Sequence, residues 1–376
     1  MSTLVYFGSM QVGLPNGPGV NEYDFLGDVS AQESFATVVA YCPMTDTAYE
    51  KLSIKMKIIK TTRFPVLREL DGGIKFCIDL LRKRVMPSVV IIRLGQLPII
   101  YWFLVLLLQK LKVPVHVKTV GVGTANRGKG LSIIRTVSFI ITKKVLRNCT
   151  SLDTPTEYAK AQIVDVFDVH SEKVIVVSNG SPIFEVPKKA VEKSGTLTLG
   201  YVGRFPFVRG GKQVIQVLSQ CRASGISVNA IITGTPEEVF PLKELALRLK
   251  VDDFIDFIGL VDKEEIPGIL TKIDFGFSIV EGIRGTSGQK LRQYLMAGCS
   301  VIYKNDEFFE LIDENFIHHY ETDLDACQFI LNAQAPSNRV SRADIREWAK
   351  DNISYSMMNE VRMQHLMRLA LSRGNQ

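Results

Sequence analysis

No two of the six cysteines in this 376-residue sequence form a CxxC pair. Cys42, Cys77, Cys149, Cys221, Cys299 and Cys327 lie far apart, which argues against a zinc site or a disulfide framework and for a reducing compartment. The opening MSTLVYFGSMQVG has no basic stretch leading into an apolar one, so no signal peptide is expected. The run that looks most membranous, LPIIYWFLVLLL from Leu97 to Leu108, has 12 residues where a crossing helix needs about 20. A helix buried beside a sheet is its plain reading, and a monotopic membrane contact is the other. Acidic residues are missing where basic ones gather. From Lys110 to Arg147 there are nine basic residues and no acid, and from Lys51 to Arg84 ten stand against Glu69, Asp71 and Asp79. The net charge is only +6, so the remainder is net acidic. A basic N-terminal half suits an anionic partner such as a lipid surface or a lipid-linked diphosphate. Nucleic acid fits less well, because the basic runs lack interleaved stacking aromatics and any recognised module.

What is present is an ordinary globular composition, 46% hydrophobic and 22% charged, with length for two domains. Short apolar runs rich in β-branched residues alternate with longer amphipathic ones, the pattern of βαβ units and parallel sheets. The first series of strands is expected at TLVYF, TVVAYC, KMKIIK, SVVIIR, VHVKTV and KVIVVS. The second comprises TLTLGYVG, SVNAIITG, DFIDFIG, DFGFSIV and SVIYK. Between them NGSPIFEVPKKAVEKSG has two prolines, mixed charge and no apolar period, and reads as a linker. The expected organisation is α/β throughout: a Rossmann-like domain over 1–182, a linker over 183–195, a second Rossmann-like domain over 196–340 and a helical tail over 341–376 that packs back across the cleft. In such doubly wound domains ligands bind beyond the carboxyl ends of the strands, where helix N-termini offer unpaired N–H groups.

Five stretches offer candidate residues. In YVGRFPFVRGGK a strand ends, glycine lets the backbone turn, and Arg204 and Arg209 follow, with Lys212 one turn later; two cations there would neutralise a leaving diphosphate. In VEGIRGTSGQKLRQYLMAG, Glu281 follows a strand, and Gly282, Gly285 and Gly288 precede a helix from about Gln289, whose start would present the N–H groups of Ser287 to Lys290 to a phosphate. Gln289 and Gln293 stand four residues apart in that helix. In MQVGLPNGPGVNEY, three glycines, Gly17 and Gly19 among them, come before a helix and allow close backbone approach; a plain strand-to-helix turn explains them nearly as well. His116 and Lys118 alternate along VPVHVKTVG, so they share one strand face, and one of them is a candidate to reach an acceptor. GTANRGKG, from Gly123 to Gly130, fits G-x4-G-K but ends in glycine where a P-loop needs Ser or Thr, so it reads as a basic loop offering Arg127 and Lys129.

In their order and spacing, VIVVSNGSPIFEVP, LGYVGRFPFVRGGKQVIQVL, IITGTPEE, FIDFIGLVDKEEIPGIL, IDFGFSIVEG and GQKLRQYLMAGCSVIY resemble the C-terminal domain of retaining glycosyltransferases of GT-B fold, the large family 4 type (glycosyl transferases group 1). The resemblance covers residues 172–304 at motif level and the N-terminal half more weakly. It implies two Rossmann-like domains facing a central cleft and transfer of a sugar, with retention, from a nucleotide-sugar (UDP or GDP most of all) to a glycan or lipid-linked acceptor in polysaccharide or glycoconjugate biosynthesis. By resemblance Arg204 and Arg209, or Lys212, hold the diphosphate, Glu281 the transferred sugar and Gln293 the ribose; Gly17 and Gly19 match the glycine-rich first loop, and Arg127 lies on the acceptor side. No metal is implied. The place implied is cytoplasmic, with a peripheral seat on the inner membrane face as an option.

The sequence departs from the family at one point. The usual Glu-x7-Glu has Gln289 at its second position by uninterrupted spacing, or Gln293 if the helix KLRQYLMAG is aligned. An amide still bonds a ribose hydroxyl. Two other readings stay open: a nucleotide-sugar epimerase of the same fold, and a non-catalytic GT-B-like protein binding a partner through its basic half.

Overall fold

The computed structural model describes residues 2–14, 17–31, 34–62, 64, 67–119, 133–178, 180–183, 196–203, 206–262, 265–279, 289–304, 315–335, 338 and 340–372. The chain forms two compact units, one of Met1–Asn179 with Met358–Gln376 and one of Gly180–Met357.

The first unit holds a parallel sheet of β1 (Thr3–Gly8), β2 (Thr37–Cys42), β3 (Lys57–Lys60), β4 (Val89–Arg93), β5 (Val115–Lys118), β6 (Ser151–Thr154) and β7 (Val174–Val176), in the order β3-β2-β1-β4-β5-β6-β7. The switch point lies between β1 and β4. Nearly continuous apolar strands such as VVIIR suit a sheet covered on both faces. Val5, Phe7, Ile92 and Val117 face one layer, which includes helices Leu67–Leu81 and Pro98–Lys110; Leu4, Tyr6 and Ile91 face the other, where Met363 and Leu366 of the last helix pack. Every strand expected in the first series is present. β6 was not expected, because its sequence, SLDT, is half polar.

The second unit repeats the plan with β8 (Leu197–Tyr201), β9 (Val228–Thr233), β10 (Ile255–Ile258), β11 (Phe275–Ile279), β12 (Ser300–Lys304) and β13 (Ile317–His319), in the order β10-β9-β8-β11-β12-β13. At its switch point Gly200 of β8 stands opposite Gly276 of β11. A Cβ on Gly276 would lie 2.2 Å from the Tyr294 ring, so the missing side chain is the seat of that tyrosine. Gly276→Ala is therefore expected to destabilise this unit by at least about 1–3 kcal/mol, read as a lower urea midpoint at unchanged slope.

The division of the chain differs from the sequence reading in two ways. The boundary falls at Asn179/Gly180, and of the expected linker only Ile183 is among the described residues. The tail is helical as expected but is no segment of its own. Arg342–Ile353 packs in the second unit through Ile345 and Ala349, while the stretch from Met358 belongs to the first, because apolar side chains on each part complete a different core.

Candidate functional site

The carboxyl end of β8 is tied down from two sides. The Val202 N–H donates to the Tyr294 hydroxyl at 2.8 Å, and the Gly203 N–H donates to Thr233 Oγ1, at the end of β9, at 2.7 Å. Gly203 has φ of +136°, a conformation glycine adopts freely, and a Cβ there would meet Lys290 Cε and Nζ at 2.6 Å. The chain leaves this edge through Arg204, which lies outside the described residues, as do Arg127, Glu281 and Gly288. A 3-10 turn, Pro206–Val208, then leads past Arg209 and Gly210 into helix Gly211–Ala223.

Lys290 comes to the same edge from the start of helix Gln289–Met296. Its ammonium lies 3.8 Å from the centroid of the Tyr201 ring and donates to the Tyr201 hydroxyl. Burial, then the nearby charge of Arg209, push the Lys290 amine well below the ordinary lysine range, with Glu238 pulling the other way. Burial likewise raises the Tyr201 phenol, and Arg209 opposes that shift. Arg209 and Lys290 thus share one electrostatic neighbourhood at the β8 end, beside two helix N-termini. Lys212 is exposed on the helix beyond. Gln293 is half-buried, one turn on from Lys290.

An anion at this edge would favour the charged form of Lys290, and N-terminal N–H groups add to the pull on a phosphate. Tyr201, Thr233 and Tyr294 build this edge and were not singled out in the sequence. The signal available was their place at the ends of apolar strands and in the helix KLRQYLMAG.

The first unit has its own polar cluster on the sheet face under helix Gly17–Ala31. Gly17 and Gly19 lie in the first turn of that helix rather than in a loop before it, and the Gly19 carbonyl accepts the Gly13 N–H at 3.1 Å. His116 and Lys118 share a face, as alternation requires, but both are buried. Lys118 Nζ donates to Glu22 Oε1 at 2.9 Å, and Tyr6 donates to Glu22 Oε2 at 2.7 Å. Burial, only partly offset by Glu22, lowers the Lys118 amine to about 8. His116 Nδ1 lies 2.8 Å from Ser151 Oγ and its Nε2 3.5 Å from Asp153 Oδ2. Arg362 donates from Nε to Asp153 Oδ2. In this placement His116 and Lys118 bind β5 to the neighbouring elements and are closed to solvent.

Among the described residues no group of three His, Cys, Asp or Glu side chains could hold a metal ion, and no helix is long and apolar enough to cross a membrane.

Residues 183–311 match the family model described as Glycosyl transferases group 1. No curated protein matches the chain in sequence. Solved structures similar to it include Anabaena HepE in complex with UDP and glucose, at TM-score 0.67 and 13% identity over 98% of this chain and 100% of that one. A glycosyltransferase from Rickettsia africae matches at TM-score 0.70 and 14% identity, over 98% of each chain. The apo lipopolysaccharide outer core galactosyltransferase WaaB matches at 0.65 and 12%, over 96% of this chain and 99% of that one. Identities this low speak for the fold, which is the GT-B architecture of two Rossmann-like units. The domain match on that architecture supports glycosyl transfer as the activity of the chain.

Proposed function

We propose that the protein is a retaining glycosyltransferase that moves a sugar from a nucleotide-diphosphate sugar, UDP- or GDP-linked, to a glycan or lipid-linked acceptor in polysaccharide or glycoconjugate biosynthesis, working in the cytoplasm at the inner membrane face. The observation that carries this reading is the meeting of Arg209 and Lys290 at the end of β8, inside the segment that matches the glycosyl transferases group 1 model. The HepE structures with UDP and with UDP-glucose favour uridine as the base.

In this reading Arg204 and Arg209 neutralise the diphosphate as its charge grows on cleavage of the glycosidic bond, with Lys212 the alternative to Arg209. Lys290 and the N–H groups after Gly288 take the phosphate nearest the helix start, Gln293 (or Gln289) takes the ribose, and Glu281 the hydroxyls of the sugar. Gly17 and Gly19 give the donor close backbone approach at the first helix, and Arg127 stands on the acceptor side. His116 and Lys118 hold β5 in place there rather than touching the acceptor. The leaving phosphate takes the proton of the incoming hydroxyl, so no protein nucleophile is needed.

Following the anomeric proton by NMR during turnover of an α-linked donor tests the mechanism. An α-linked product is expected; a β-linked first product would overturn retention.

A further inference from the structure

The two helices that cover one face of the first sheet are apolar on the outside as well as the inside. Helix Leu67–Leu81 buries Phe76 and Leu80 in the core but turns Ile74, Ile78 and Leu81 outward, and Leu81 is 80% exposed. Helix Pro98–Lys110 buries Tyr101, Leu104 and Leu108 and turns Ile99, Phe103 and Leu106 outward, with Phe103 59% exposed. Between them lies a groove of about 580 Å³ whose lining residues carry no charge. A contiguous apolar surface of this kind is uncommon on a monomer that meets only water.

The surroundings of the groove are cationic. Each helix leads into a strand of the same parallel sheet, so the two run in the same direction and end at the same side. There stand the exposed Arg82, Lys83 and Arg84 after one helix, and Lys110 and Lys112 at the end of the other. Lys144 lies 4.7 Å over the ring of Trp102, which also lines the groove. Little negative charge stands against them: Arg84 has Asp79 at 3.9 Å. The sequence from Leu80 to Leu152 contains no acid. The three acids just before it are engaged: Glu69 is buried and accepts the Gln96 and Leu97 N–H groups at 2.7 Å, Asp71 pairs with Lys75 at 2.9 Å, and Asp79 accepts the Tyr41 hydroxyl at 2.8 Å.

We infer that this face is where the protein seats on an anionic phospholipid bilayer, with the apolar stripes of Leu67–Leu81 and Pro98–Lys110 entering the acyl layer and the basic residues at their ends meeting the headgroups. Apolar burial and cation attraction act together at an interface. The charge complementarity selects a bilayer over a second copy of this chain, since two copies would bring like charges together. The inference gives the membrane association proposed above a surface, and it stands on residues apart from the donor edge.

The test is flotation of the full chain with phosphatidylcholine vesicles, with and without phosphatidylglycerol. Three proteins are compared: wild type, the pair Ile74→Glu with Phe103→Glu, and the pair Arg82→Glu with Lys83→Glu. All four positions are exposed, so the thermal midpoint is expected to hold in both variants, as is any stabilisation by nucleotide. Wild type is expected to float with the phosphatidylglycerol vesicles, less so at high salt, and each variant to partition at least tenfold more weakly. Absent flotation, equal flotation without phosphatidylglycerol, variants that float like wild type, or a wild-type dimer that Ile74→Glu with Phe103→Glu dissociates would each overturn the inference. A chain that floats but responds to no nucleotide would count against the donor reading alone.

Discussion

Exchange of Lys290 for methionine is expected to slow transfer by roughly 10²–10³, the cost of removing one preorganised donor to a developing charge. The fold should survive, because methionine keeps the apolar stem that packs on Tyr201. Stability should even rise at neutral pH. Burial and Arg209 hold the Lys290 amine below its unfolded range, so between the two values the unfolded chain binds more protons and the stability of the unit climbs with pH. Methionine removes that slope and the penalty at its lower end. The same shift marks the ligand: a bound diphosphate would favour the ammonium, so binding should take up a proton and weaken as pH rises. Calorimetry in buffers of different ionisation enthalpy reads that uptake directly. Full turnover in Lys290→Met would remove the residue from the site.

Arg362→Met is expected to produce the largest loss of stability in the first unit, about 3–5 kcal/mol, because it strands a buried carboxylate. Asp153 is 1% exposed. Burial alone would raise its carboxyl, yet Arg362, with His116 and Lys118, outweighs burial and holds it well below the usual carboxylate range. The Arg362 guanidinium also donates to Asn359 Oδ1 at 2.8 Å, and Asn359 Nδ2 donates to Asp28 Oδ2 at 2.6 Å, so the last helix is pinned to both β6 and the first helix. For a unit of this size the loss corresponds to a melting shift on the order of ten degrees. The sign with pH is fixed: a depressed carboxyl contributes stability above its unfolded value and loses it as pH falls through the folded one. The gap between wild type and Arg362→Met should therefore narrow in acid. Adding Asp153→Leu should restore part of the loss at neutral pH, since removing both charges leaves none stranded; no recovery would mean that the ion pair is not the source.

These two sites differ in how far the sequence exposes them. The strands were legible because β-branched runs such as VVIIR and AIIT are long, apolar and bounded by turn residues. SLDT was not, because its Ser151 and Asp153 are made acceptable in a core by His116, His365 and Arg362, the last two more than 200 residues away. Glu22, Arg93 (whose Nε lies 3.5 Å from Glu22 Oε1), Asp153 and Arg362 come from four separate elements, and nothing in their spacing announces a cluster. At the donor edge, Arg209 and Lys290 were legible through motifs whose order resembles a family. The stacking of Lys290 on Tyr201 was not, nor was Tyr294 in the slot opened by Gly276, since both depend on the register of β8 against β11. The start of the first helix at Gly17 was missed because glycines there read as loop.

The most direct test of the central claim is thermal unfolding with UDP, GDP, ADP, CMP, dTDP and their common sugars, for wild type and Arg204→Ala. The account predicts that one nucleotide class, uridine first, raises the melting temperature of wild type and leaves the variant unmoved. No shift with any nucleotide would contradict it and leave a GT-B protein that works by binding, with the basic first unit as the place where its partner docks.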